Sequence, residues 1–324
     1  MAPTPTQIPT PTLPKAEVLS WMACRALLPQ DVRLDMGPLG TLRLEEQLDE
    51  KLQRVASEEL READVDIPDT IAALRTRLQE EKELVVPLDD EYMITFLRPC
   101  HWYPDSAFQK MCNFYAFKAR NPHVGRPLPM SRVDVVANSG TVCILPRRDQ
   151  FGRRMLLLQT GRKWDPKKLT MDELLSAVLM FLEIAIVEPS TQVAGVVILW
   201  DLEGLSLSQV LKFTPTFAKN LLHLIQDCVP LRVKAFHFIN QSNLFDIAFN
   251  VLKPFLKEKL RSRLYFHGKS SKTLLDHVDP KLLPKQYGGE LEMHFDGGEL
   301  VALFHLFETY FDELTKYGYT KLPK

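Results

Sequence analysis

The sequence lacks most of the short patterns by which common activities can be read. There is no GxxxxGK[ST], so no P-loop holds a nucleotide phosphate. GxGxxG at a strand-to-helix turn, GxSxG and HExxH are missing as well, which removes the commonest enzymes without excluding catalysis as such. The eight histidines are dispersed with no metal-ligand spacing, and no metal or cofactor is expected. His237 lies mid-strand and reads as a satisfied core histidine. The five cysteines (Cys24, Cys100, Cys112, Cys143, Cys228) form no CxxC and are odd in number. They read as reduced thiols of a cytoplasmic protein, mostly buried as small hydrophobes. No apolar run reaches the roughly 18 residues that span a bilayer. The start of the chain lacks a basic-then-apolar signal pattern, and Ala2 follows Met1 where myristoylation needs glycine. A formal net charge of −1 gives no general pull toward nucleic acid, so any basic function must be local.

What is present is the composition of a globular protein, 45% hydrophobic and 25% charged over 324 residues. Residues 1–14 are Pro/Thr-rich with almost nothing to bury and read as a disordered tail. Residues 15–120 read as a small all-α domain. Leu44, Leu48, Leu52 and Val55 recur at helical spacing. A second helix is expected from Pro68, with Ile71, Leu74 and Leu78 as its apolar face, and Pro104 opens a third. No stretch of this region looks like a strand. Residues 121–129, NPHVGRPLP, read as a linker.

The texture then changes. GTVCILPRRDQFGRRMLLLQTG is two apolar runs about a turn, a hairpin signal. Thr170 and Glu173 make a capping box at the head of a long helix. VAGVVILWD reads as a strand buried on both faces. Thr214-Pro215 opens another helix, and the strands VKAFHFI and LYF follow. Strand and helix alternate, so residues 130–295 read as an α/β domain with a mainly parallel sheet. Residues 296–324 read as one amphipathic C-terminal helix. Aliphatic and aromatic residues are plentiful on the helices: Leu175, Val178, Leu179, Leu182, then Phe213, Phe217, Leu221, Leu224 and Ile225. They make an ordinary core or, in part, the wall of a pocket. Glu183 is the one acid deep in an apolar helix. It is either paired with a neighbouring element or a polar handle facing a cavity.

The most informative stretch is 240–268. A very apolar helix from Leu244 to Leu252 is broken by Pro254. A basic segment follows, with Lys257, Lys259, Arg261 and Arg263 against a lone Glu258. One reading is a greasy flap, a hinge and a cationic foot; the other is a core helix followed by a solvated basic face.

FLRPCHWYPDSAFQKMCNFYAF, DLEGLSLSQ, FTPTFAK, PLRVKAFHFIN, KPFLKEKLRSRLYFHG and LPKQYGGEL together resemble the CRAL-TRIO lipid-binding family, over roughly residues 85–295 and in the family's order. The resemblance implies a helical gate over an apolar cavity, and one hydrophobic molecule per chain, retinoid-like, tocopherol-like or a phospholipid, exchanged at membranes. The implied lining is Leu175, Val178, Leu179, Leu182, Glu183, Val196, Ile198, Trp200, Phe213, Phe217, Leu221, Leu224, Ile225, Phe236, Phe245, Phe249 and Leu252. The implied contact with a phosphoinositide or anionic membrane is Arg232, Lys234, Lys257, Lys259, Arg261 and Arg263. A fourth family arginine is Cys100 here. Two pocket serines of the family's tocopherol carriers are Val178 and Leu182 here, which argues against tocopherol. The expected behaviour is that of a monomeric cytoplasmic carrier that attaches reversibly to membranes and is not an enzyme. The alternatives are a phosphoinositide-binding trafficking adaptor of clavesin type and a retinoid isomerase working through Glu183.

Overall fold

In the computed structural model, residues 20–28, 33–35, 41–43, 47–293 and 297–323 are described. The expected tail and Leu44 lie outside these residues. The helical part is built as its sequence dictates. Helix Glu50–Leu60 starts at Asp49, whose side chain accepts from the Leu52 N–H at 2.8 Å. Helix Ile67–Glu80 is capped by Asp66 and carries its proline in the first turn. Helices Asp90–Leu97 and Pro104–Arg120 complete it.

Three expectations fail here. Residues 15–120 are not free of strands: β1 (Arg33–Asp35) and β2 (Thr41–Arg43) form a hairpin. β3 (Leu84–Val85) pairs with β9 (Gly318–Tyr319). Two-residue strands have no alternation to read, and β3 finds its partner at the other end of the chain. The single C-terminal helix is in fact two, Gly297–Leu306 and Glu308–Leu314, followed by β9. The presumed linker is also structured. Pro122–Gly125 is a helical turn, and the Leu128 N–H donates to Met180 Sδ at 3.3 Å.

The central sheet has the order β4-β5-β6-β7-β8, with β4 (Val142–Ile144), β5 (Arg154–Gln159), β6 (Val196–Asp201), β7 (Val233–Ile239) and β8 (Leu264–Phe266). β4 runs antiparallel to β5, as the hairpin pattern predicts, and the other pairings are parallel. Successive side chains take opposite faces. Leu156, Leu158, Ile198, Phe236 and Phe238 join the large front core, whereas Met155, Leu157, Val197, Leu199, Ala235 and Ile239 form a separate core behind.

Helix Met171–Ile186 begins at the Thr170–Glu173 capping box. It is apolar all round because it is covered on two sides. On the far side from the sheet, Ser176 Oγ donates to the Arg126 carbonyl at 2.8 Å, and the Phe181 and Phe304 rings lie 4.7 Å apart. All five cysteines are free, and four of them are buried.

Candidate binding cavity and its basic rim

Between the sheet and its front helices lies a cavity with about 740 Å³ of empty space. Its floor is Leu158, Ile198, Trp200, Val233 and Phe236 of the strands. Its roof is one face of helix Met171–Ile186: Met171, Leu174, Leu175, Val178 and Leu182, at helical spacing. Phe213, Phe217 and Leu221 close a side from helix Pro215–His223 and the turn before it, and Ile225 follows them in the next turn. The remaining wall, Thr160 and Trp164, has its polar groups engaged. Trp200 Nε1 donates to Thr160 Oγ1 at 2.7 Å, and Trp164 Nε1 donates to the Leu169 carbonyl at 2.7 Å. The cavity therefore offers hydrocarbon and aromatic surface, with no unpaired polar side chain for a headgroup.

Most of the lining expected from sequence is found there: Leu175, Val178, Leu182, Ile198, Trp200, Phe213, Phe217, Leu221, Ile225 and Phe236. Other expected lining residues lie elsewhere. Leu179 is buried off the cavity, Val196 begins its strand beyond the floor, and Leu224 yields its place to Ile225. Phe245, Phe249 and Leu252, on the helix Asn243–Leu252 that was expected to act as a gate, do not line it either. Phe245 packs on Phe238 at 5.1 Å, and Phe249 on Phe266 at 5.2 Å, so this helix beds on an aromatic row at the strand ends. Pro254 ends the gate as predicted, in a 3-10 turn at Lys253–Phe255. The basic segment shrinks to one helical turn, Glu258–Arg261.

Val233 was missed because of a register shift. β6 and β7 slip between Val196 and Val197, which leaves Lys234 unpaired as a bulge. Regular alternation would put Lys234 on the face of Phe236 and Phe238; the bulge puts Val233 there and turns Lys234 outward.

Glu183 also lies off the cavity, on the opposite side of its helix. Lys118 Nζ donates to Glu183 Oε1 at 2.7 Å, with both side chains largely buried. The pair sits away from the cavity in a small pocket walled by Trp21, Tyr92, Phe114, Tyr115 and Tyr310. The carboxylate joins the α/β domain to the helical part, so the expectation that it lines the pocket is corrected to a structural ion pair.

The basic residues divide. Lys257 is held by Asp227 at 2.5 Å, and Arg261 lies 4.0 Å from Glu258. Neither joins a cluster. Arg232, Lys234, Lys259 and Arg263 do come together. Gly195, at φ 85°, lets the strand approach so closely that an added Cβ would meet the Arg232 carbonyl at 2.2 Å. Arg263 donates to the Val233 carbonyl, and Arg232 to that of Val193. Partial desolvation, then Arg263, Lys110 and Arg232, push the Lys259 ammonium, on an exposed side chain, below its usual range. Burial and Arg232 do the same to the Arg263 guanidinium. Lys110, on the helix Pro104–Arg120, contributes to the positive field at Lys259 although nothing in its spacing marked it. Burial, followed by Lys259 and Arg232, keeps His101 neutral to lower pH than usual. Burial raises the neighbouring Cys100 thiol. Mutual repulsion of this kind is relieved by a bound anion.

Among the described residues no helix is long and apolar enough to cross a membrane, and no group of histidine, cysteine and carboxylate side chains could hold a metal ion.

Comparison with known proteins agrees with this geometry. Residues 138–289 match the CRAL/TRIO domain. The chain is 36% identical over 243 residues to the Alpha-tocopherol transfer protein-like protein of Mus musculus, covering 75% of this chain and 71% of that one. Its Homo sapiens counterpart is 35% identical over the same shares. Clavesin-1 of Mus musculus is 29% identical over 69% of each chain.

Proposed function

Since the chain belongs to the CRAL/TRIO family of lipid-binding and transfer proteins, we propose that it carries one hydrophobic small molecule, retinoid- or tocopherol-like, between membranes. It docks through the Arg232–Lys234–Lys259–Arg263 cluster on a phosphoinositide. The observation that carries this reading is the wall of the cavity, where every polar side-chain group is already paired. Such a wall rewards apolar surface and nothing else. Burying roughly 400 Å² of ligand gains about 10 kcal/mol against water. Against a bilayer it gains little, so loading and unloading are both feasible wherever the gate opens onto lipid.

The gate's surroundings support membrane contact. Leu207, Leu211, Ile247 and Phe266 are each about half exposed or more. Leu207 belongs to a short helix, Leu207–Val210, that packs against the gate. Exposed apolar side chains past the strand ends, with a cationic cluster at the strand starts, suit a leaflet with anionic headgroups, where each lysine or arginine adds about 1 kcal/mol. The reading makes the protein a peripheral cytoplasmic carrier without catalytic activity, and Glu183, turned to Lys118, is not placed to act on a cargo.

Purified protein extracted into organic solvent should release one lipid per chain, identified by mass spectrometry. Val178→Trp, which fills the roof with an indole, should lower that yield at least about tenfold while the melting temperature stays near that of the wild type. An empty wild type that also fails to bind a broad lipid panel would remove the carrier reading.

Docking is tested separately. Lys259→Ala with Arg263→Ala should weaken binding to phosphoinositide vesicles and slow transfer between membranes. Affinity for cargo in solution should hold, because neither residue lines the cavity. Added salt should reproduce part of the loss, since exposed charges are screened over about 8 Å at physiological ionic strength. Unchanged vesicle binding and transfer in the double variant would leave the cluster a solvated basic face.

A further inference from the structure

The basic cluster already holds a negative charge. Glu59, near the end of helix Glu50–Leu60, accepts hydrogen bonds from Lys234 Nζ at 2.9 Å and from the Arg232 guanidinium. Burial works against its ionisation, but these two hydrogen bonds outweigh it and hold the carboxyl down to about 2. It is therefore an anion at every physiological pH. Its neighbours on the chain are employed differently. Glu62 is held by Arg98 at 2.9 Å, while Glu58 is exposed and has no ion pair among the described residues. Lys259, exposed on its helical turn, likewise has none among the described residues.

Resting on the docking reading above, we propose that Glu59 is a specificity-determining residue of the anionic site: a tethered carboxylate that an incoming headgroup must displace from Arg232 and Lys234. A headgroup of net charge −1 whose terminal anion is a carboxylate, such as phosphatidylserine, offers these cations no more charge than Glu59 already supplies. Glu59 also has the advantage of being held in place. A phosphoinositide bisphosphate carries about −1.5 to −2 on each phosphate monoester. It can take Arg232 and Lys234 from Glu59 while a second phosphate engages Lys259 and Arg263. The resident carboxylate thus rejects weakly charged membranes and admits polyphosphorylated ones, and docking frees the end of helix Glu50–Leu60.

The test measures binding of the full chain to three kinds of vesicle: phosphatidylcholine alone, with phosphatidylserine, and with a phosphatidylinositol bisphosphate. Wild type, Glu59→Gln and Glu58→Gln are compared. The two variants change net charge equally, but only one removes the contact. Glu59→Gln should gain about tenfold in affinity for phosphatidylserine vesicles, in line with one charge-assisted hydrogen bond, and clearly less for bisphosphate vesicles. Its preference for the bisphosphate therefore narrows. Glu58→Gln should track the wild type in binding and melting; Glu59→Gln should melt somewhat lower, because Arg232 and Lys234 lose their carboxylate, yet stay folded at the assay temperature. Amides of residues 50–60 should exchange faster with solvent when wild type meets bisphosphate vesicles. If Glu59→Gln matches Glu58→Gln, or if wild type already binds phosphatidylserine as well as the bisphosphate, the role assigned to Glu59 is wrong. Loss of binding in Lys259→Ala/Arg263→Ala would show that the docking reading survives that result. Wild type and Glu59→Gln both indifferent to every anionic vesicle would overturn the two together.

Discussion

Glu183→Gln should lower the free energy of unfolding by about 3–5 kcal/mol and leave the cargo preference where it was. Removing one partner of a buried ion pair strands the other charge, and that loss is the usual size. Lys118 would keep its charge in an aromatic pocket with a neutral amide oxygen and the Phe114 ring, 5.4 Å away, in place of a carboxylate. Denaturant titration reads the loss, and extraction with mass spectrometry reads the cargo. Lys118→Met with Glu183→Leu should recover most of the stability, because an apolar pair of similar volume carries no desolvation penalty. A Glu183→Gln protein of wild-type stability with altered cargo would put the carboxylate back in the cavity.

Mild acid should destabilise the fold through the back of the sheet. His237 Nδ1 lies 2.9 Å from His267 Nε2, and His267 Nδ1 lies 2.8 Å from Thr273 Oγ1. The His237 and Tyr265 rings stack at 5.0 Å, and His277 lies against both of them and against His267. Burial, then His267, His277 and Arg153, hold His237 down to about 3. Burial and His277 hold His267 at about 4, with Asp276 opposing. Both folded values lie below the ordinary 6.5, so the unfolded chain binds more protons as the pH falls past 6.5. Stability is complete above that point and drains away as the pH approaches 4. By pH 5 the loss should be about 2–4 kcal/mol at roughly 1.4 kcal/mol per pH unit for each group. Melting temperatures measured between pH 7.5 and 5 give the slope, and His237→Phe should flatten it. A slope unaltered by that substitution would assign the acid sensitivity to other groups.

The order of strands and helices was legible because each element carries its own signal: the capping box at Thr170, proline at 215, the apolar run of β6 and the stop at Pro254. The cavity roof was legible only in part: Leu175, Val178 and Leu182 stood out as surplus aliphatic residues that the family resemblance turned into a pocket wall, whereas Leu179 lies off the cavity and Met171 and Leu174 were not singled out. Features that depend on distant partners were not. The side of its helix that Glu183 faces is decided by Lys118, 65 residues earlier. Lys110 adds to the positive field at Lys259 through the packing of the helical part. The bulge at Lys234, which exchanges an aliphatic side chain for a cation at the cavity floor, exists only between two strands. The gate's aromatics pointed toward a cargo only if the gate covered the cavity, and their bed on Phe238 and Phe266 is a matter of where the helix docks.

The pairing of β3 with β9 has a consequence for biosynthesis. Thr320 N–H donates to the Glu83 carbonyl at 2.8 Å, and the two residues are 237 apart along the chain. Trp21, near the opposite end, rests against Tyr310 at 5.8 Å between ring centres. On the ribosome the helical part is therefore made first and finished last. Its strand edge and the aromatic seat of Trp21 stay open through the whole synthesis of the lipid-binding domain, and they close only when helix Glu308–Leu314 and β9 emerge. Contacts of such sequence separation form late and slowly. For this protein, the interval between the two ends is the time in which the nascent helical part depends on being shielded from other chains.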